Sequence, residues 1–220
     1  MTTVCCLFVR GHVPYTADYV VKLAAMVRRW MDRPYRFVCL TDQPKLLRRW
    51  DGIETITVTP FKGLYAWWNK VQLFDPWIGL SGRTLYLDLD TLVVGPLAPV
   101  LDFPAPFALL PHEGRFDGKG PRKVVKRFNS SVMVWNPGHA TYLLAAAWHP
   151  TVSERLWGDQ DWIGEQMPDA ATMPAGWFPR LSAIRGGPVP SEAKVILAKS
   201  PKNAEAARRW AWVRQVWRAA

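Results

Sequence analysis

Two short apolar runs bracket a stretch of helical spacing at the start of the chain, and this pattern restricts the fold more than any other feature. Val4 to Val9 reads as a strand, Ala17 to Trp30 as a helix through Val20, Leu23, Ala24 and Val27, and Tyr35 to Leu40 as a second strand. Strand, helix and strand in that order make a crossover unit with parallel strands. The alternation continues: Leu46 to Trp50 reads as a short helix, Ile53 to Val58 as a strand, Leu64 to Phe74 as helical spacing, and Thr84 to Leu89 as a further strand. The predicted fold class is therefore α/β, a mostly parallel twisted sheet with helices on both faces. At 220 residues and 49% hydrophobic, the chain can bury one core. Residues 1–200 are expected to form that single domain, and 201–220 a basic amphipathic helix packed on it or appended to it.

Later in the chain, prolines bracket a strand at Phe107 to Leu110, and Ser131 to Trp135 reads as another. Between them, Glu113 to Arg127 carries Arg115, Lys119, Arg122, Lys123, Lys126 and Arg127, a basic loop suited to clamping a phosphate-bearing ligand. Ala140 to Trp148 and Asp159 to Gln166 read as helices, Met167 to Pro190 as loop, Val195 to Leu197 as a strand and Asn203 to Arg218 as one helix. In that last helix Ala206, Trp210, Val213 and Trp217 share a face, and the helix packs on the domain, lies on an anionic membrane or offers a surface to a phosphate backbone.

A net charge of +10 favours an acidic partner: a nucleotide, a nucleic acid or an anionic membrane surface. Three cysteines, Cys5, Cys6 and Cys39, lie in apolar runs without zinc-type spacing and are expected to be reduced core thiols. No run of about 18 apolar residues occurs and the first residues do not read as a signal peptide, so a cytoplasmic protein is expected.

The chemistry concentrates in Arg83 to Pro96, where Asp88 and Asp90 follow an apolar strand. Alternate residues of a strand share a face, so both carboxylates are expected to project from the carboxyl end of the sheet, where open α/β sheets bind ligands. Two such charges side by side call for a cation, and Mg2+ or Mn2+ on a diphosphate is the usual one. Phe128-Asn-Ser-Ser131 offers an amide and two hydroxyls to sugar hydroxyls. Gly158-Asp-Gln-Asp161 sets acids and an amide at a helix start, where either acid also serves as a cap. Lys70, after Trp67-Trp68-Asn69, can reach a phosphate.

In order along the chain, Cys5-Cys6-Leu7, Phe37-Val-Cys-Leu-Thr-Asp42, Trp67-Trp-Asn-Lys-Val-Gln-Leu-Phe74, Leu85-Tyr-Leu-Asp-Leu-Asp-Thr91, Phe128-Asn-Ser-Ser-Val-Met133 and Gly158-Asp-Gln-Asp161 resemble the retaining glycosyltransferases of the GT-A fold, specifically family 8 and small phage and bacterial proteins related to it. The resemblance implies that Asp88 and Asp90 hold Mn2+ or Mg2+ on the diphosphate of a nucleotide-sugar donor, most simply a UDP-sugar. It implies donor contacts from Cys6, Leu7, Asp42, Lys70, Leu89, Lys199 and Lys202, with the nucleotide in a pocket of Val4 to Leu7, Thr41 and Asp42. Asp159, Gln160 and Asn129 are implied to cradle the transferred sugar. The resemblance also calls for a histidine as third metal ligand and a glycine after it, where this chain has Ala198 and Lys199. Alanine binds no metal, so a weakened or altered site is expected, with Lys199 and Lys202 taking over part of the charge neutralisation.

The expected activity is transfer of a sugar, with retention, to an acceptor hydroxyl on a hydroxymethylated base in DNA or on a surface glycan. No protein partner is inferred. The alternative is a non-catalytic protein on a degenerate GT-A fold that binds a nucleotide sugar or nucleic acid.

Overall fold

The computed structural model describes residues 1–11, 13–112 and 128–219. The basic loop predicted at 113–127 lies outside the described residues. Nine strands are described: β1 Thr2–Phe8, β2 Tyr35–Thr41, β3 Glu54–Thr57, β4 Arg83–Leu87, β5 Thr91–Val93, β6 Phe107–Pro111, β7 Phe128–Trp135, β8 Ala171–Thr172 and β9 Val195–Leu197.

The opening unit forms as its periodicity requires, with β1 and β2 parallel and Val4 opposite Phe37. Seven strands make one sheet in the order β3-β2-β1-β4-β7-β6-β8. The first three step outward in one direction, and β4 then returns to the free side of β1, parallel to it. The chain thus reverses its winding between β1 and β4, which opens a crevice at their carboxyl ends. β7 runs antiparallel to both β4 and β6.

Strand alternation divides the core into two faces. Val4, Cys6, Phe37, Cys39, Leu85 and Leu87 pack against the first helix, Ala17–Trp30. Cys5, Val38, Leu40, Tyr86 and Met133 face the other way, against Trp68, Val71, Phe74 and Trp162. All three cysteines are free and buried.

Three elements differ from their sequence reading. Ala66–Phe74 is a 3-10 helix, not an α-helix. Six of its nine residues are buried, and among them Trp68, Val71 and Phe74 stand three apart, the repeat at which 3-10 side chains align. The C-terminal segment is two helices, Pro201–Ala207 and Ala211–Val216. Trp210 is extended between them, and the Arg214 guanidinium donates to the Arg208 and Arg209 carbonyls that the break leaves over, at 2.9 and 2.8 Å. Its buried residues are Pro201, Ala204, Ala207, Val213 and Trp217, while Ala206 is exposed. Trp217 packs edge-on against Tyr19 of the first helix, so this apolar face is spent inside the protein and not on a bilayer. Among the described residues no helix is long and apolar enough to cross a membrane. The stretch 167–190, read as loop, includes β8 on the sheet edge and a short helix, Leu181–Ile184.

β5 and β9 pair antiparallel as a separate ribbon, Thr91 opposite Leu197. This pairing brings the chain that follows β9, Ala198 to Pro201, beside the turn that follows β4.

Candidate active site

β4 ends at Leu87, two residues earlier than its apolar run suggests, because the chain turns tightly at 88–91. The Asp88 carbonyl accepts from the Thr91 amide at 3.1 Å and from its hydroxyl at 2.7 Å. Asp88 and Asp90 therefore sit on a turn and not on one face of a strand, although both border the crevice.

A buried charge cluster lies beneath them. The Lys70 ammonium donates to Asp88 Oδ1 at 2.9 Å and to Ser130 Oγ at 3.2 Å, and lies 3.9 Å from Asp159 Oδ2. The Tyr86 hydroxyl donates to the same Asp88 oxygen at 2.7 Å. The Ser130 hydroxyl bonds Asp159 in turn. Lys70 and Asp159 are only 6% and 4% exposed, so each depends on the other for compensation. Burial pulls the Lys70 pKa down, but Asp159 and Asp88 outweigh it and hold the ammonium above its ordinary value. Burial pushes the Asp159 carboxyl up against the opposing pull of Lys70 and Ser130. Burial, then the Asp88 charge, push Asp90 up to about 7, although Lys70 and the Tyr15 hydroxyl act the other way.

Two adjoining clefts open on this cluster. One, of about 250 Å³, runs from Leu7 and Val9 at the end of β1 past Tyr15, Lys70 and the 88–90 turn to Lys199. The other, of about 200 Å³, holds Ser130, Trp157, Asp159 and Gln160. Trp67, Lys70, Asp88 and Ser131 border both, so the clefts form one continuous site. Together they fall within the roughly 300–1,000 Å³ of small-molecule clefts. Asp159 Oδ2 has no hydrogen-bond partner among the described residues. It is buried, and the Lys70 ammonium 3.9 Å away is its charged neighbour, while the residue itself lines the second cleft. Tyr65 stacks on Trp67 with ring centroids 4.4 Å apart, and the Trp67 indole N–H donates to the Trp157 carbonyl, which gives the second cleft an aromatic wall.

Of the residues predicted from sequence, Leu7, Lys70, Asp88, Leu89, Asp90 and Lys199 line the first cleft, and Asp159 and Gln160 the second. Four others lie elsewhere. Cys6 is fully buried on the opposite face of β1, where strand parity sends it while Leu7 faces the cleft. Asp42 is held by Arg10, whose backbone amide and Nε donate to its two oxygens at 3.0 and 2.8 Å. Asn129 turns back to accept from the Ser131 amide and borders a separate small cleft with Arg180. Lys202 is exposed on the helix Pro201–Ala207, outside both clefts. At the helix start Asp161 is the cap, accepting from the Gly158 amide at 3.2 Å, which leaves Asp159 for the cluster.

Tyr86, Tyr15 and Trp157 lie outside the sequence reading, and Ser130, one of the two hydroxyls read as facing sugar hydroxyls, accepts from Lys70. Ser130 reaches the cluster because the β6–β7 register jumps from Leu109–Met133 to Leu110–Asn129, a bulge no local pattern announces. Tyr86 stands two residues before Asp88, and that alternation was readable.

The divalent cation implied by the sequence resemblance does not fit this donor set. Asp88 Oδ1 already takes the Lys70 ammonium and the Tyr86 hydroxyl. Asp90 is 7% exposed and bonded by Tyr15, and position 198 presents a buried methyl group. Among the described residues no group of three or more His, Cys, Asp or Glu could hold a metal ion.

No protein-family model matches the sequence, and no curated protein matches it. Solved structures do match the backbone. The galactosyltransferase LgtC in complex with donor and acceptor sugar analogs superposes with a TM-score of 0.66 at 16% identity, over 97% of this chain and 95% of that one. An LgtC active-site variant with glutamate in place of glutamine gives 0.65 at 15% identity over the same shares. The glycosyltransferase GlyE of Streptococcus pneumoniae TIGR4 gives 0.59 at 12% identity, over 93% of this chain and 56% of that one. This backbone likeness over nearly the whole chain shows that it has the GT-A fold.

Proposed function

We propose that the protein moves a sugar from a nucleotide-diphosphate donor to an acceptor hydroxyl. The observation that carries this reading is the second cleft, which Asp159 and Gln160 line together and which shares Trp67, Lys70, Asp88 and Ser131 with the larger cleft. The apolar walls of Leu7, Val9 and Val13 suit a nucleoside, the turn at 88–90 and Lys199 suit a diphosphate, and Asp159 with Gln160 suits the hydroxyls of a sugar.

In the transfer, the bond from the anomeric carbon to the diphosphate oxygen breaks and a bond to the acceptor oxygen forms. The acceptor proton passes to the departing phosphate oxygen. Asp159 is committed to Lys70 and Ser130, so it orients sugar hydroxyls and leaves same-face attack, with retention, as the economical route. Gln160 is too weak a base to take the proton and serves to position the sugar. A UDP-sugar is the proposed donor; a hydroxymethylated base in DNA or a surface glycan is the proposed acceptor.

Incubation with a panel of nucleotide sugars and both acceptor types, followed by mass spectrometry, identifies product and donor together. Asp159→Asn is expected to cut turnover by about 100-fold or more, and Gln160→Ala by about tenfold, with unchanged melting for Gln160→Ala. Nucleotide-sugar binding without turnover under every condition would replace the transferase with a binding protein on the same fold.

A further inference from the structure

The charges that line the first cleft are unequal in exposure. Lys70 is 6% and Asp90 7% exposed, and the Asp88 side chain, 21% exposed, is paired with Lys70. Lys199 alone among the charged residues described there is exposed, and among the described residues it makes no ion pair. Lys199 is therefore the charge that an incoming ligand meets most readily, above a cluster that contains three carboxylates.

The backbone at Lys199 points the same way. Its φ is +69°, the left-handed region that favours glycine. Only one other non-glycine among the described residues, Arg185, has a positive φ. A long charged side chain kept at a position suited to glycine, on the rim of a cleft, is an outlier of the kind that strain at functional sites produces. The β5–β9 ribbon holds it there: Thr91 pairs with Leu197, and Asn203 Nδ2 donates to the Ala198 carbonyl at 2.8 Å.

We propose that this cleft neutralises the diphosphate of its nucleotide with ammonium groups in place of a divalent cation. Lys199 contacts the phosphates, and Asp88 serves as a positioning residue that fixes Lys70 behind them. The proposal rests on the nucleotide-sugar reading above and deepens it, since it names how the donor is held. The Lys70 ammonium offsets part of the charge of Asp88 and Asp159, and exposed Lys199 supplies the positive charge that meets the incoming phosphates.

The test is calorimetric titration of the purified protein with UDP, ADP, GDP and CDP, in excess EDTA and again with Mn2+. The expected result is that one of them binds in EDTA within a few-fold of its affinity with Mn2+. Lys199→Gly and Lys199→Met are each expected to weaken that binding by about tenfold or more, and Lys199→Arg to retain it. Glycine suits the backbone there, so Lys199→Gly is expected to melt at or above the wild type, which separates lost binding from lost folding. Binding that requires Mn2+ and is indifferent to Lys199→Gly and Lys199→Met would overturn the proposal and leave the transferase reading standing. Absence of nucleotide binding with or without metal would overturn both.

Discussion

Replacement of Lys70 by methionine tests the charge cluster on which the site is built. The ammonium is 2.9 Å from Asp88 Oδ1 and 3.9 Å from Asp159 Oδ2, and it is almost fully enclosed. Methionine keeps much of the side chain's bulk and removes the cation, leaving a buried carboxylate at Asp159 with the Ser130 hydroxyl and a backbone hydrogen bond but no opposite charge to compensate it. Breaking a buried pair from one side costs about 3–5 kcal/mol. For a chain of this size that is a fall in Tm of roughly 10 °C or more. The loss depends on pH in a definite direction. Asp159 and Asp90 already have raised pKa values in the folded protein, and without Lys70 both rise further. A carboxyl with its folded value above its unfolded one takes up protons on folding, so the variant loses stability as pH rises. Thermal denaturation followed by circular dichroism is therefore expected to show a small gap between variant and wild type near about pH 4.5 and the full gap near about pH 7.5. Adding Asp159→Asn to Lys70→Met is expected to recover a large part of the loss at the higher pH. A gap that does not change with pH, or a single variant as stable as the wild type at about pH 7.5, would refute the cluster as a coupled unit.

Two further perturbations follow from the same geometry. Asp90 titrates near about 7 in the fold against an ordinary 3.8, so its contribution to stability is complete below the ordinary value and lost as pH rises through about 7. Asp90→Asn is expected to melt increasingly above the wild type across that window, by at most about 4 kcal/mol, and a constant difference would refute it. Gly95 places the ribbon: a Cβ there would lie 2.5 Å from the Ala193 carbonyl oxygen. Gly95→Ala is expected to cost about 1–3 kcal/mol and to weaken nucleotide binding by displacing Lys199, whereas unchanged melting and binding would show that the ribbon yields freely.

The fold class was legible because it follows from local periodicity. The run Val4 to Val9 and the helical spacing of Ala17 to Trp30 each need only their own residues to declare strand or helix, and β-α-β order then leaves parallel pairing as the low-cost solution. The single C-terminal helix was misread for the opposite reason. Its break at 208–210 is held by the Arg214 guanidinium on the Arg208 and Arg209 carbonyls, a side-chain bond to the main chain that apolar periodicity does not register, while Trp217 beyond it packs on Tyr19 nearly two hundred residues distant in sequence.

The candidate site divides in the same way. Sequence alone determined which chemistry is present: the carboxylates at 88, 90 and 159, the lysines at 70 and 199, and the alanine at 198 are properties of residue type. Tertiary structure decided how they are used. Strand parity turned Cys6 away while presenting Leu7, a bulge turned Asn129 aside and placed Ser130 on Lys70, and Arg10 took Asp42. Burial placed an ammonium on Asp88 where the spacing of two aspartates suggested a metal ion. Residue type sets what a side chain can do, but its charge state and partners depend on solvent exclusion and on neighbours that pairing across the sheet supplies.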